Sequence, residues 1–220
     1  MNPLLLLRDS CYFFSRHASQ IALLCLPFIL LEALVQQLAA LWFEGPTPAA
    51  AQLLIRLFFY PMYTGALILF VDSRSSGLRL RRQQLWAMAL WRWPGYAVLA
   101  AFTTLLVMLG LSLMILPGLW IMSRLAFAEL LLVINGLAPM EAMKESYRMT
   151  GGHFVTVFCC LLLAVGPMWG FEWWVGAQLG EHPDPLGSLL ADCLDAGLQL
   201  FASVLMYRLF SLLAEPAAER

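Results

Sequence analysis

Six stretches of this 220-residue chain are long and apolar enough to cross a lipid bilayer, and that feature limits the fold more than any other. A spanning helix needs about 20 mostly apolar residues. Residues 18–43, 49–72, 94–116, 117–137, 153–180 and 188–210 each meet that length. Hydrophobic residues make up 61% of the chain and charged residues only 12%. A globule in water must leave much of its surface wet, so it has nowhere to conceal that much apolar area. The composition excludes an ordinary water-soluble enzyme, a disordered tail and a small secreted disulfide scaffold. The fold class is an all-α integral membrane protein, one transmembrane domain over residues 1–220.

The connections between spans differ sharply in charge. Residues 44–48 form a short polar turn, residues 73–82 a basic loop, Pro117-Gly118 a tight uncharged turn, and residues 180–187 an acidic one. Of the 13 Lys and Arg residues, Arg8 and Arg16 precede the first span. Arg74, Arg79, Arg81, Arg82 and Arg92 lie between the second and third, and Lys144 and Arg148 between the fourth and fifth. Arg208 and Arg220 end the chain, while Arg56 and Arg124 fall inside spans. Eleven cations therefore fall on one side of the bilayer and none on the other. Cytoplasmic loops carry the excess of Lys and Arg, so both termini are expected in the cytoplasm. An even number of spans is what that requires.

Three segments outside the spans read as interfacial helices. Residues 4–17 mix Leu6, Leu7, Cys11, Phe13 and Phe14 with Arg8, Asp9 and Arg16, and lack the basic lead and long apolar run of a signal peptide. Residues 80–93 interleave Arg81, Arg82 and Arg92 with Trp86 and Trp91, a mixture suited to headgroup contact, and form an expected elbow before Pro94. Pro139 and Gly151-Gly152 bracket a helix with Met140, Met143 and Tyr147 as its expected apolar stripe. Glu141/Lys144 and Glu145/Arg148 are spaced to pair along it.

Ionisable residues within the spans are the candidate site. Glu32, Arg56, Arg124, Glu129, Glu172, Asp192 and Asp195 each face a cost of about 2.5 kcal/mol or more in hydrocarbon unless partnered. Counting residues from the span ends puts Arg56, Arg124 and Asp195 about 10 Å deep and Glu32 about 16 Å deep. Glu32, Arg56, Arg124 and Asp195 thus form one expected layer in the outer half. Two readings stand: structural pairs (Arg56 with Glu32, Arg124 with Asp195), or a polar cavity for a proton, an ion or an anionic headgroup. Arginine suits planar anions such as phosphate and carboxylate. In the fifth span Gly166-Pro167 is expected to kink or break the helix, and Trp169, Trp173 and Trp174 to form an aromatic belt. Gly166/Gly170 and Gly176/Gly180 have the four-residue spacing of close helix packing.

Catalytic and metal motifs are missing. No GxSxG, GxGxxG, phosphate loop, HExxH or EF-hand loop occurs. His17, His153 and His182 lie in separate places without a second ligand nearby. Cys11, Cys25, Cys159, Cys160 and Cys193 are odd in number and read as free thiols, mostly buried. The net charge of −1 offers nothing to nucleic acid. No enzyme activity, cofactor or metal is expected. Met122-Ser-Arg-Leu125 and Met206-Tyr-Arg-Leu209, with Pro61-Met-Tyr63, suggest a weak repeat of three helical hairpins.

Residues 116–127, Leu131-Leu-Val133, Ala142, Ser146 and residues 150–154 (Thr-Gly-Gly-His-Phe) carry a family likeness. So do Phe13-Phe14 to Pro27, residues 60–66 and residues 73–77. The chain resembles the YciC family of bacterial inner-membrane proteins over nearly its whole length, and more distantly the membrane domain of some glycerophosphodiester phosphodiesterases. The phosphodiesterase catalytic domain has no counterpart here. The resemblance implies a multi-pass protein of a bacterial inner membrane, from a family without an established activity, and transfers no catalytic residue. The expected function is non-enzymatic: binding or handling lipids or other hydrophobic molecules. The alternatives are an accessory subunit packed against a membrane-protein partner, or a small secondary transporter.

Overall fold

The computed structural model describes residues 3–43, 48–78, 80–152, 154–179 and 185–218. The helices are α1 (Pro3–Trp42), α2 (Ala49–Ser75), α3 (Arg82–Leu113), α4 (Ile115–Arg124), α5 (Ala128–Asn135), α6 (Pro139–Thr150), α7 (Phe154–Leu179) and α8 (Pro185–Ala218). No strand occurs among the described residues. Six helical segments are long and apolar enough to span a membrane, with α4 and α5 together making the fourth. The protein is a multi-pass all-α membrane protein.

The bundle is built around α2. Every residue from Tyr63 to Val71 is buried, because α2 is apolar all round and is wrapped by α1, α3, α5 and α8. The outer helices are more exposed: Leu38, Leu41, Leu105, Leu109, Val155 and Trp173 turn large apolar side chains outward. That arrangement suits a solvent of lipid chains, which is as apolar as the side chains themselves.

The first two expected interfacial helices merge into the spans, and only the third stands as a separate helix, α6. α1 is one uninterrupted helix of 40 residues, about 60 Å long, rather than a short helix followed by a span. The N-terminal half stays helical because it is not left on its own: Phe14 meets Phe201 of α8 edge-on at 5.8 Å, and Arg208 lies 5.0 Å over the Phe13 ring. The elbow expected before Pro94 is also absent, since α3 runs from Arg82 through Pro94 to Leu113. Trp93 donates its ring N–H to the Phe58 carbonyl, which ties that turn to α2. α7 likewise continues through Pro167 without a break.

The second helical hairpin departs further from expectation. The α3–α4 turn falls at Met114, whose backbone is extended (φ −165°, ψ 158°), and Pro117-Gly118 lies inside the first turn of α4. The chain turns there because Gly110 meets Gly118: a Cβ on Gly110 would stand 2.8 Å from the Gly118 Cα. The close glycine contact is thus here. At Gly166 and Gly170 an added Cβ would meet nothing within 4 Å. Gly180 lies outside the described residues.

The fourth span is two short helices with a break at residues 125–127. Irregular backbone at membrane depth survives only where its polar groups are satisfied within protein. Here α6 supplies the partners. Ser146 donates to the Arg124 carbonyl at 2.8 Å and accepts from the Phe127 amide at 3.2 Å, and Ala128 N–H donates to the Leu125 carbonyl. Phe127 itself is fully buried.

α6 begins at Pro139 and ends at Gly151 as expected. Its fully buried face is the small-residue stripe Ala142, Ser146 and Thr150, and of the expected Met140, Met143 and Tyr147 only Met143 packs, partly buried, against the core. Met140 and Tyr147 are exposed, because only small side chains let α6 approach the α4–α5 break closely enough to bond it. Glu145 and Arg148 pair at 3.8 Å on the outer side.

Candidate functional site

Three polar positions on α2, Arg56, Tyr60 and Tyr63, share one face at four- and three-residue spacing. Two of them reach α8 and the third reaches α5. Arg56 donates to Asp195 of α8 at 3.3 Å, an ion pair in which the arginine is about half exposed and the aspartate mostly buried. Tyr63 donates to the side-chain oxygen of Gln199, one turn further along α8, at 3.4 Å. Tyr60 donates to Glu129 of α5 at 2.9 Å. Tyr96 of α3 donates to the same Glu129 oxygen, Oε2, also at 2.9 Å. The Tyr60 ring packs edge-on against both Tyr63 (5.9 Å) and Tyr96 (6.0 Å). Two phenols thus hold one carboxylate in the middle of an apolar bundle.

Three of the four residues expected in one layer do gather. Glu32, Arg56 and Asp195 line a small cavity of about 20 Å³ with Gln36, Tyr63 and Gln199, and Gln36 donates to Glu32 at 3.4 Å. Arg56 forms its ion pair with Asp195 across the α2–α8 contact, whereas the partner expected for Asp195 was Arg124.

Arg124 departs from the cluster. It sits at the end of α4 beside the last turn of α6 and the first turn of α7. Its guanidinium lies 4.7 Å over Tyr147, 5.4 Å over Trp120 and 5.5 Å over Phe154. Aromatic faces attract a cation, and three of them replace the expected Asp195. The break after Arg124 redirects the chain, so counting 1.5 Å per residue along one straight span misplaces it.

Glu129 takes the place in the site that Arg124 was expected to fill. It is an ionisable span residue outside the expected layer. The sequence signal was the polar stripe 56, 60, 63 on α2 matched by 195 and 199 on α8. Neutral tyrosines and a glutamine carry half of it, and a survey of charges alone passes over them. The side chains of Glu172 and Asp192 lie outside the described residues, as do His153 and His182.

The expected headgroup contacts divide. Arg81, Arg82 and Trp91 are exposed. Trp86 instead turns inward, donating to the Leu24 carbonyl at 3.2 Å and packing edge-on to Phe28. Arg92 donates to the Leu132 carbonyl at 3.2 Å and to the Val133 carbonyl, at the end of α5 where Gly136 turns left-handed (φ 69°). A cation is favoured at the C-terminal end of a helix, where carbonyls run out of helical partners, and the Leu132 carbonyl also accepts from the Gly136 amide.

Two larger cavities adjoin the polar network. One, about 220 Å³, lies between α2 and α3 and is lined by Arg56, Tyr60, Tyr63, Thr104, Glu129 and Gln199. The other, about 410 Å³, shares Tyr60, Thr104, Glu129 and Gln199 with it. Its remaining wall is mostly apolar, with Thr103 and Ser203 the further polar residues, and Met108, Met122, Met168 and Met206 are among the lining residues. Met108 of α3 and Trp169 of α7 line it and are also exposed, so the cavity opens sideways between those helices. Small-molecule sites are commonly concave, mostly apolar and set with a few placed polar groups.

Among the described residues no group of three or more His, Cys, Asp or Glu side chains stands close enough to hold a metal ion. The five cysteines are free; Cys25 and Cys160 are buried, whereas Cys11 and Cys159 are exposed. No protein-family model and no solved structure matches the chain.

Proposed function

We propose that this protein is a non-enzymatic membrane protein that takes up hydrophobic or amphiphilic molecules from the bilayer into the cavity between α3 and α7. The observation that carries this reading is the cavity itself: about 410 Å³, open at Met108 and Trp169, and mostly apolar, with Glu129, Tyr60, Gln199, Thr103, Thr104 and Ser203 as its polar residues. An accessory subunit needs no such chamber, and a sealed core would favour that role instead. The paired Arg56 and caged Arg124 do not line the large cavity, so the anionic-headgroup site expected of them is not part of the proposal.

The likeness to the YciC family and a bacterial inner-membrane location with cytoplasmic termini belong to the same proposal. Contacts support the orientation. Arg74 donates to Gln20, Tyr207 donates to Asp72, and Arg208 lies over Phe13. These draw the cationic parts of α1, α2 and α8 to one end of the bundle, as an excess of cytoplasmic Lys and Arg requires.

The test is gentle purification followed by native mass spectrometry of bound molecules. Met108→Trp at the mouth and Val165→Trp on the wall are expected to lose co-purified ligand. Leu105→Trp, which adds the same ring to an exposed α3 position outside the lining, is expected to keep it. Equal ligand content in all three overturns the reading.

A further inference from the structure

The large cavity has a distinct electrostatic signature: one carboxylate, Glu129, and no Arg, Lys or His among its lining residues. Oε2 of that carboxylate receives both phenol hydroxyls. The Glu129 side chain lines the chamber. A charge inside a low-dielectric bundle is costly unless matched, and a ligand of opposite sign supplies the match.

Two further features favour the same ligand class. Tyr60 and Trp169 line the cavity, and aromatic faces attract organic cations. Met108, Met122, Met168 and Met206 give a wall that conforms to ligands of varied shape, because an unbranched thioether repacks easily. An anionic headgroup would meet the opposite: a like charge and no donor stronger than a hydroxyl or amide.

We infer that the cavity between α3 and α7 binds amphiphilic organic cations, with the Glu129 carboxylate as counter-ion and Tyr60 and Tyr96 as the residues that position it. This rests on the cavity reading above and names its ligand class.

Tetraphenylphosphonium and tetraphenylborate test it, since they share size and shape and differ in the sign of charge. Binding of each, and of an uncharged lipophilic dye, is measured by equilibrium dialysis on the full-length protein in nanodiscs of zwitterionic lipid. The phosphonium is expected to bind at least about tenfold more tightly than the borate. Glu129→Gln keeps an acceptor oxygen for both phenols and is expected to weaken phosphonium binding at least about tenfold while leaving the dye unchanged. Glu129→Asp, which keeps the charge, is expected to retain the preference if Glu129→Gln fails to fold. Met108→Trp is expected to reduce all three ligands together. If dye and borate bind as well as phosphonium, the cation inference falls and the cavity reading stands. If none of the three binds, both fall.

Discussion

Ser146 of α6 accepts a hydrogen bond from the amide of Phe127 at 3.2 Å, across a break in the fourth span. The same hydroxyl donates to the Arg124 carbonyl at 2.8 Å, so one side chain serves the backbone on both sides of the gap. Ser146→Ala removes both partners and leaves a buried N–H without one. The expected loss is roughly 1–3 kcal/mol, read by thermal or denaturant unfolding in detergent. Ser112→Ala, whose exposed hydroxyl bonds only its own helix, is the comparison and should change little.

Gly110 and Gly118 make the tightest helix contact described here. Gly110→Ala puts a methyl group against backbone that has no rotamer to yield. The expected destabilisation is roughly 1–3 kcal/mol. Gly166→Ala and Gly170→Ala meet open space and, within a helix, should be neutral or slightly stabilising. A melting series of the three variants decides which glycines serve packing.

Spans were legible in this sequence because a run of about 20 apolar residues has few other uses. Depth was partly legible too. Counting along the spans gave Arg56 and Asp195 the same depth, and they pair. What the sequence did not carry was adjacency. Glu32 of α1 and Asp195 of α8 both stand on helices that pack against α2, and hydropathy says nothing of which helices those are. Arg124 shows the second gap. Its position follows from a break at residues 125–127, and that break is stabilised by Ser146, a residue about twenty positions away. The small face of α6 went unread because apolar periodicity points to the largest side chains, whereas close approach to backbone selects the smallest.

The Arg56–Asp195 contact is testable by a double-mutant cycle. Arg56→Met and Asp195→Asn are each expected to destabilise, with a coupling of roughly 0.5–3 kcal/mol such that the double variant loses less than the sum. Arg56 is about half exposed, so the lower part of that range is expected. Additive losses would mean the two side chains do not interact in the bilayer.

Arg92 closes the end of α5 by donating to the Leu132 and Val133 carbonyls. Arg92→Gln is expected to cost roughly 1–3 kcal/mol. Both bonds come from one guanidinium nitrogen; Arg92→Lys should restore only part of the loss, because an ammonium is more strongly hydrated than a guanidinium and costs more to seat there. Hydrogen exchange of the α5 amides offers a local readout: protection should fall there first, ahead of α2.

The four thioethers in the cavity wall have a chemical consequence beyond their fit. Oxidants convert methionine to a polar, chiral sulfoxide, and the change is reversible by dedicated reductases. A lining that owes its greasiness to Met108, Met122, Met168 and Met206 is therefore one that peroxide rewrites, at Met108 first, since that sulfur stands at the open mouth.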